Sequence, residues 1–409
     1  MIIYIFEDRF AVDFEPLTQT RPAFDLRCGA FTFLERLRKM VPDGEIRLVV
    51  RLLLVDTVAE THPDFSVNPA VAEDGLWLLG NVYWDDKTLA ELLIAPPGLF
   101  YSAEIPVAAR LTAEEGQEWL NSGGPVVNAC QATIPRHNLS VQVARRLWDI
   151  NQALPATLVD DQRWFPAGVP NAADYPGVYL IKRENIFIGR DVMISPMVFI
   201  DATVGPVLIS ENVTVDPFVV ITGPVYIGPG CHLSPHTVLR NGCAIGPVCN
   251  LGGEIKGTVI QGYSNKSHYG FLGDSYLGEW VNLGAGTTNS NLKNNYGNVS
   301  VMVNGRAIDS GLVHAGVYLG DHVKTGINTP LNSGTIIGTG SSVVSGFFPP
   351  RLIPPFTFLV NEKASCYSYA KFIATARIVM GRRNWTLSPA TDRLLSAIYA
   401  DSEKYYSRD

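Results

Sequence analysis

The chain is poor in cysteine: six occur in 409 residues, at 28, 130, 231, 243, 249 and 366. They form no CxxC pair and no histidine pairing at zinc-like spacing, which argues against a disulfide framework or a structural zinc. The thiols read as small buried side chains in a reducing cytoplasm. A basic excess is also missing. With 32 Lys and Arg against 39 Asp and Glu the net charge is −7, so nucleic acid is not an expected partner. Long apolar runs are absent too: Leu52–Val55 and Leu76–Leu79 fall far short of a membrane span. The opening MIIYIFEDRF meets acids by position 7 without a basic region before them, unlike a signal peptide. The length predicts two or three domains.

What the chain does have is a march of apolar residues at an interval of six: Ile209, Val215, Ile221, Ile227, Leu233, Leu239, Ile245 and Leu251. The register returns at Leu319, Leu331, Ile337 and Val343, with Thr325 its polar member. Neither a helix nor a flat half-buried strand has that period. A parallel β-helix does, since each triangular coil has three six-residue faces with one residue of each pointing inward. Gly228, Gly230, Ser234, Pro235, Gly246 and Pro247 supply the corners. The register slips by three near Val204–Pro206 and is broken again over 286–312.

Before the march, strand-like runs (IIYIF, IRLVV, LWLLG) alternate with helical stretches such as Phe31–Met40 and Val141–Ala153, which predicts an α/β layer fold. The expected organisation is an α/β, Rossmann-like domain over 1–165, a Pro/Gly-bearing linker over 166–185, a left-handed parallel β-helix over 186–350 and a helical cap over 351–409. PPRLIPP at the start of the last segment is expected to end the coil.

A repeat names no chemistry; residues that break it do. The segment 250–291 holds Glu254, Lys256, Lys266, His268, Asn282 and Asn291 within about two coils. His268 is the candidate general base, because imidazole takes a proton near neutral pH; alternatively it decorates a coil face. Glu254-x-Lys256, His268, Leu272-Gly273-Asp274, Asn282, Gly284-Ala285-Gly286-Thr287 and Asn291 together resemble the acetyltransferase segment of the glucosamine-1-phosphate acetyltransferase / N-acetylglucosamine-1-phosphate uridyltransferase family. Leu239-Arg240-Asn241-Gly242 is similar to that family's Leu-Arg-Pro-Gly. The resemblance implies that His268 deprotonates a sugar amine attacking acetyl-CoA. Arg240 and Lys256 would hold the sugar phosphate, Glu254, Asn282 and Asn291 would contact substrate or orient the base, and Ala285 would border the acetyl-CoA arm. It also implies a homotrimer. Phe271 stands where the family has tyrosine, and Asn291 is followed by leucine.

The N-terminal stretch FEDRFAVDFEPLTQTRPAFDLRCGAF lacks the Gly-rich loop with which sugar nucleotidyltransferases cradle a triphosphate. No lysine precedes Lys39. It keeps Pro16-Leu17-Thr18 and Arg21-Pro22, and so resembles a divergent branch of sugar nucleotidyltransferases fused to such a solenoid. That resemblance implies phosphate binding by Arg9, Arg21 and Arg27. It further implies a Mg²⁺ near Asp85 and Asp86 or near Asp160 and Asp161, with Asn81 where ordinary members place a metal-binding aspartate. The structural alternative pairs Arg21 and Arg27 with Glu15 and Asp25. His232 and His236 do not make a metal pair on a β-coil. The expected function is a transferase of nucleotide-sugar synthesis, using sugar 1-phosphates, nucleoside triphosphates and acetyl-CoA, with no membrane. The alternative is a non-catalytic sugar-nucleotide-binding module on a trimeric solenoid scaffold.

Overall fold

The computed structural model describes residues 1–166 and 168–406. The chain divides into two compact units. The first comprises Met1–Phe14, Thr18–Leu26 and Phe31–Arg146; the second comprises Glu15–Leu17, Arg27–Ala30 and Leu147–Asp409.

The first unit is built on strands β1 (Ile2–Phe6), β2 (Glu45–Val49), β3 (Ser66–Val67), β4 (Gly75–Leu79), β5 (Val82–Tyr83), β6 (Gly98–Ser102), β7 (Ile105–Leu111), β8 (Arg136–Leu139) and β9 (Gln142–Val143). Seven of them form one sheet in the order β3-β2-β1-β4-β7-β6-β8, and β5 pairs with β9. β1 runs parallel to β2 and β4, whereas β7 is antiparallel to β4 and β6. Every residue of β1 and β4 is buried, which is why these strands read as unbroken apolar runs rather than alternating ones. Helix α1 (Phe33–Met40) starts at a capping box: the Thr32 hydroxyl accepts from the Glu35 amide and the Glu35 carboxylate accepts from the Thr32 amide. Four further helices follow: α2 (Val55–Thr61), α3 (Asp86–Ile94), α4 (Ala113–Asn121) and α5 (Gly124–Val127). The helix expected over 141–153 begins only at Leu147. Residues 142–143 are strand instead, and the Ala144 amide donates to the Asn81 carbonyl.

The second unit opens with α6 (Leu147–Asp161), followed by the solenoid. Parallel strands stack into three sheets, each with one inward column. Ile209, Ile227 and Ile245 pair in one, Ile221 and Leu239 in another, and Val215, Leu233 and Leu251 in the third. All eight of the six-spaced residues are fully buried, so the period is the core of the coil. Glycines let the coils close up: a Cβ on Gly246 would lie 1.9 Å from the Gln261 carbonyl oxygen one coil on. The slip near Val204 is a longer first coil, in which Ile188 pairs with Ile209. The break over 286–312 holds an antiparallel hairpin, Ser300–Val303 with Arg306–Asp309.

The coil starts and ends differently from the expected bounds. Leu180 already pairs with Ile200, inside the segment read as linker. At the far end Leu352–Ile353 pairs with Ile336–Ile337, and Ile353 is buried in the solenoid core. PPRLIPP therefore does not stop the solenoid, because its prolines flank the two residues that enter the ladder. A last hairpin (Thr357–Val360 with Lys363–Cys366) and helices α7 (Tyr369–Gly381) and α8 (Pro389–Ser402) follow. Among the described residues no helix is long and apolar enough to cross a membrane.

Candidate functional site

On the solenoid sheet that carries Ile221 and Leu239, the strands Val238–Arg240, Glu254–Lys256 and Phe271–Gly273 lie on consecutive coils. Their middle residues Leu239, Ile255 and Leu272 are buried in the core, so the flanking residues face outward. Arg240, Lys256 and Gly273 share one outward column; Val238, Glu254 and Phe271 share the other. The Arg240 guanidinium donates to Glu254 Oε1 from Nε (2.9 Å) and Nη2 (2.5 Å). Lys256 Nζ lies 3.2 Å from Asp274 Oδ2, which also accepts from Asn291 Nδ2 at 2.5 Å. Arg240, Glu254, Lys256, Asn291 and Asp274 thus form one polar strip across consecutive coils. Asp274 had only its place in the Leu-Gly-Asp motif as a signal; its link to the strip is tertiary. Asn151 of α6 anchors the same coils by donating to the carbonyls of Gly257 (3.0 Å) and Ser275 (2.9 Å).

His268 is exposed on the turn before Phe271–Gly273. That turn lies on the one below it: a Cβ on Gly253, whose φ is +71°, would sit 3.0 Å from the His268 carbonyl oxygen. The His268 carbonyl is therefore brought against the residue preceding Glu254. Asn282 and Ala285 lie elsewhere on the coil. Asn282 belongs to the third sheet's outward ladder, where Asn250 Nδ2 donates to Asn265 Oδ1 and Asn265 Nδ2 to Asn282 Oδ1. Ala285 is in a turn whose carbonyl accepts from the Asn328 amide. Within one chain the sequence motif is thus split between two faces.

In the first unit a cavity of 360 Å³ opens beside the C-terminal end of β1, lined by Phe6, Asp8, Arg9, Tyr101, Trp119 and Arg145 among others. β1 has β2 on one side and β4 on the other, the switch point at which open α/β sheets bind ligands beyond their strand ends. Where a Gly-rich loop would run, acids are tied to arginines. Glu7 is fully buried and its Oε1 accepts from Arg51 Nε at 2.9 Å. Asp8 accepts from Arg145 at 3.2 Å and Asp13 from Arg146 at 2.6 Å. Burial raises the Asp8 carboxyl above its ordinary value, against the lowering charge of Arg145.

The expected phosphate arginines diverge. Arg9 is exposed at the cavity and lies over the Phe10 ring. Arg21 is half-buried in the first unit, its carbonyl accepting from Arg51. Arg27 belongs to the second unit and is 6% exposed. It donates to the Ala30 carbonyl, lies over Tyr226 and takes the Gln261 side chain on its amide, so it works as a packing residue. Asp25 pairs with His62 at 3.0 Å.

The aspartates expected near Mg²⁺ are placed for other work. Asp85 caps α3, accepting from the Thr88 amide and hydroxyl. Asp86 is exposed in the first turn. Asp161 is fully buried and accepts from the Ala30 amide, while Asp160 pairs with Arg163. Asn81 donates to the Ala144 carbonyl. Among the described residues no three His, Cys, Asp or Glu side chains come together to hold a metal, so the donors present do not by themselves fit the ion. His232 pairs with Asp216, and His236 stacks on Phe218.

In class, the chain joins an α/β domain of the nucleotidyltransferase type to a parallel β-helix of hexapeptide repeats. Residues 3–168 match the model of the family described as Sugar nucleotidyl transferase, and residues 206–241 match that of the bacterial transferase hexapeptide repeat. A bifunctional sugar-1-phosphate nucleotidylyltransferase/acetyltransferase of Sulfurisphaera tokodaii is 40% identical over 93 residues, 23% of each chain. The bifunctional protein GlmU of Methanocaldococcus jannaschii is 30% identical over 109 residues, 27% of this chain and 26% of that protein. The matched stretches span about a quarter of the length of these relatives. Among solved structures, an Arabidopsis UDP-N-acetylglucosamine acyltransferase aligns over 57% of this chain and 91% of its own at 14% identity, with a TM-score of 0.25.

Proposed function

We propose that the chain is a transferase of nucleotide-sugar synthesis whose solenoid passes an acetyl group from acetyl-CoA to the amine of a sugar phosphate. The observation that carries this reading is the outward stacking of Arg240 on Lys256, one coil apart, beside the turn that bears His268. Arg240 spends Nε and Nη2 on Glu254 and leaves Nη1 without a partner among the described residues; Lys256 makes one charge-assisted bond to Asp274. A guanidinium edge next to an ammonium suits a phosphate dianion. The free sugar amine attacks the thioester carbon, His268 takes the proton that the nitrogen sheds as the new C–N bond forms, the C–S bond breaks and the thiolate leaves with that proton. In this reading Asn282 and Ala285, on another face, serve a site completed by a neighbouring copy in a cytoplasmic homotrimer.

For the N-terminal unit the reading is nucleotidyl transfer to a sugar 1-phosphate at the cavity beside β1, with Arg9 and Arg145 toward the phosphates. A second reading, a non-catalytic sugar-nucleotide-binding module, is favoured by the Glu7–Arg51, Asp8–Arg145 and Asp13–Arg146 pairs that occupy the phosphate-loop position. Purified protein given acetyl-CoA with amino-sugar 1-phosphates should release thiol. Given nucleoside triphosphate, Mg²⁺ and sugar 1-phosphates, it should release pyrophosphate if the first reading of this unit holds. His268→Ala should abolish thiol release and spare any pyrophosphate release. Absence of thiol release by the wild type overturns the acyl-transfer reading, and thiol release that survives His268→Ala overturns the assignment of His268 as its base.

A further inference from the structure

The inward column of the third sheet runs Val215, Leu233, Leu251, Lys266, Leu283, Thr325 and Val343. A lysine stands where the pattern demands an aliphatic residue, and it is 2% exposed. Its side chain does not snorkel out to solvent, as an ordinary lysine stem would allow. Nζ instead donates to two backbone carbonyls inside the corner, Gly252 at 3.0 Å and His268 at 2.5 Å. These carbonyls belong to consecutive turns that lie against each other: a Cβ on Gly252 would meet the Ser267 oxygen at 2.1 Å. Lys266 therefore ties the turn that carries His268 to the turn that leads into Glu254 and Lys256.

The cost of placing an amine there is large. Burial pushes the ammonium down to about 8, and an aliphatic side chain would fill the column without that penalty. Neighbouring corners satisfy their carbonyls with hydroxyls, as Thr237 does for Ser234 and Leu251. A hydroxyl at 266 would be too short to reach both turns. We infer that Lys266 is a positioning residue for acyl transfer: its amine, clamped between the Gly252 and His268 carbonyls, fixes the backbone turn from which His268 acts. This rests on the reading of His268 as the base. A side chain that is exposed and has no hydrogen-bond partner among the described residues can be aimed only through its backbone, and the clamp acts on that backbone.

The test compares full-length wild type, Lys266→Met and His268→Ala. Methionine keeps the unbranched stem and suits an apolar column, so the fold survives loss of the amine. Lys266→Met should lower kcat for thiol release about tenfold or more while leaving KM for the sugar phosphate within about twofold, the signature of a misplaced reacting group. Amide exchange at residues 267–270 should rise about tenfold, with exchange in the coils around Ile227 unchanged. Unchanged exchange at 267–270 overturns the clamp, whatever the activity. Raised exchange with an unchanged kcat overturns the positioning role. If the wild type releases no thiol, or His268→Ala still does, the base assignment falls, and exchange still decides whether the clamp exists.

Discussion

Replacing Lys266 by methionine should change how stability depends on pH, and the size follows from the site. The ordinary lysine value of 10.5 falls to about 8 inside the solenoid, with burial as the cause. No acid is among the amine's hydrogen-bond partners; its column neighbours are Leu251 and Leu283. At about 1.4 kcal/mol for each pH unit, that drop corresponds to about 3 kcal/mol. The sign is set by proton counting. Between pH 8 and 10.5 the unfolded chain holds the lysine proton and the folded chain has shed it, so folding stability gains as pH rises through this window. Below pH 8 the whole penalty is present. At pH 7 the methionine variant escapes that penalty but orphans the buried Gly252 carbonyl and the part-buried His268 carbonyl, at up to about 1–3 kcal/mol each, so it should lie close to wild type. By pH 10.5 wild type should have gained about 3 kcal/mol on the variant. Urea unfolding of both proteins at pH 7, 8, 9 and 10.5 reads the difference directly. Lys324, also pushed down to about 8 by burial, is common to both and cancels. Parallel stability curves across that range would refute a buried, proton-poor Lys266.

Gly246→Ala places a methyl 1.9 Å from the Gln261 carbonyl oxygen and must separate two coils; a loss of about 1–3 kcal/mol or more in urea unfolding is expected, and a wild-type midpoint would contradict the coil spacing. Arg51→Ala strands the buried Glu7 carboxylate and should cost about 3–5 kcal/mol, partly recovered by adding Glu7→Gln; no recovery would mean that charge is not the cause. His62 is desolvated by burial, yet the hydrogen bond and charge of Asp25 lift its imidazole above the ordinary value. Its contribution should be full below about pH 6.5 and vanish as pH rises past the lifted value, a slope that Asp25→Asn should flatten. An aromatic disulfide reagent should label Cys130 and Cys366 in native protein and spare the buried Cys28, Cys231, Cys243 and Cys249; six fast thiols would contradict the burial. Burial also pushes the Cys243 thiol up to about 11.

The solenoid was legible residue by residue because its geometry is local. Each inward position answers to a fixed spacing, so Ile209 to Leu251 name the core without help from the rest of the chain. The sheet of the first unit was legible for the same reason, in runs such as IIYIF that are apolar on both faces. Where tertiary pairing overrode local pattern, the reading slipped. PPRLIPP looks like a terminator, yet Leu352 and Ile353 find open ladder positions. Val141–Ala153 looks helical, yet β9 pairs with β5 before α6 begins.

The residue types of the site could also be read in the sequence, but their company could not. His268, Lys256 and Arg240 were visible as polar intruders; that Arg240 and Lys256 stack, with Asp274 and Glu254 holding them, depends on how many residues each coil contains. Asn282 and Ala285 share the motif but turn a corner to another face. Arg27 and Asp85 have the right charge for phosphate and metal, but burial against Ala30 and Tyr226 makes one a packing residue and a helix start makes the other a cap. Lys266 was visible only as one polar residue among several. Which way it points, and so that it spends its charge on the turn of His268, follows from a register that coils closer than six residues per face impose on it. By itself the sequence determined the repeat, the core and the chemical alphabet. The tertiary structure decided which letters meet, because that depends on coil length, corner geometry and burial rather than on spacing along the chain.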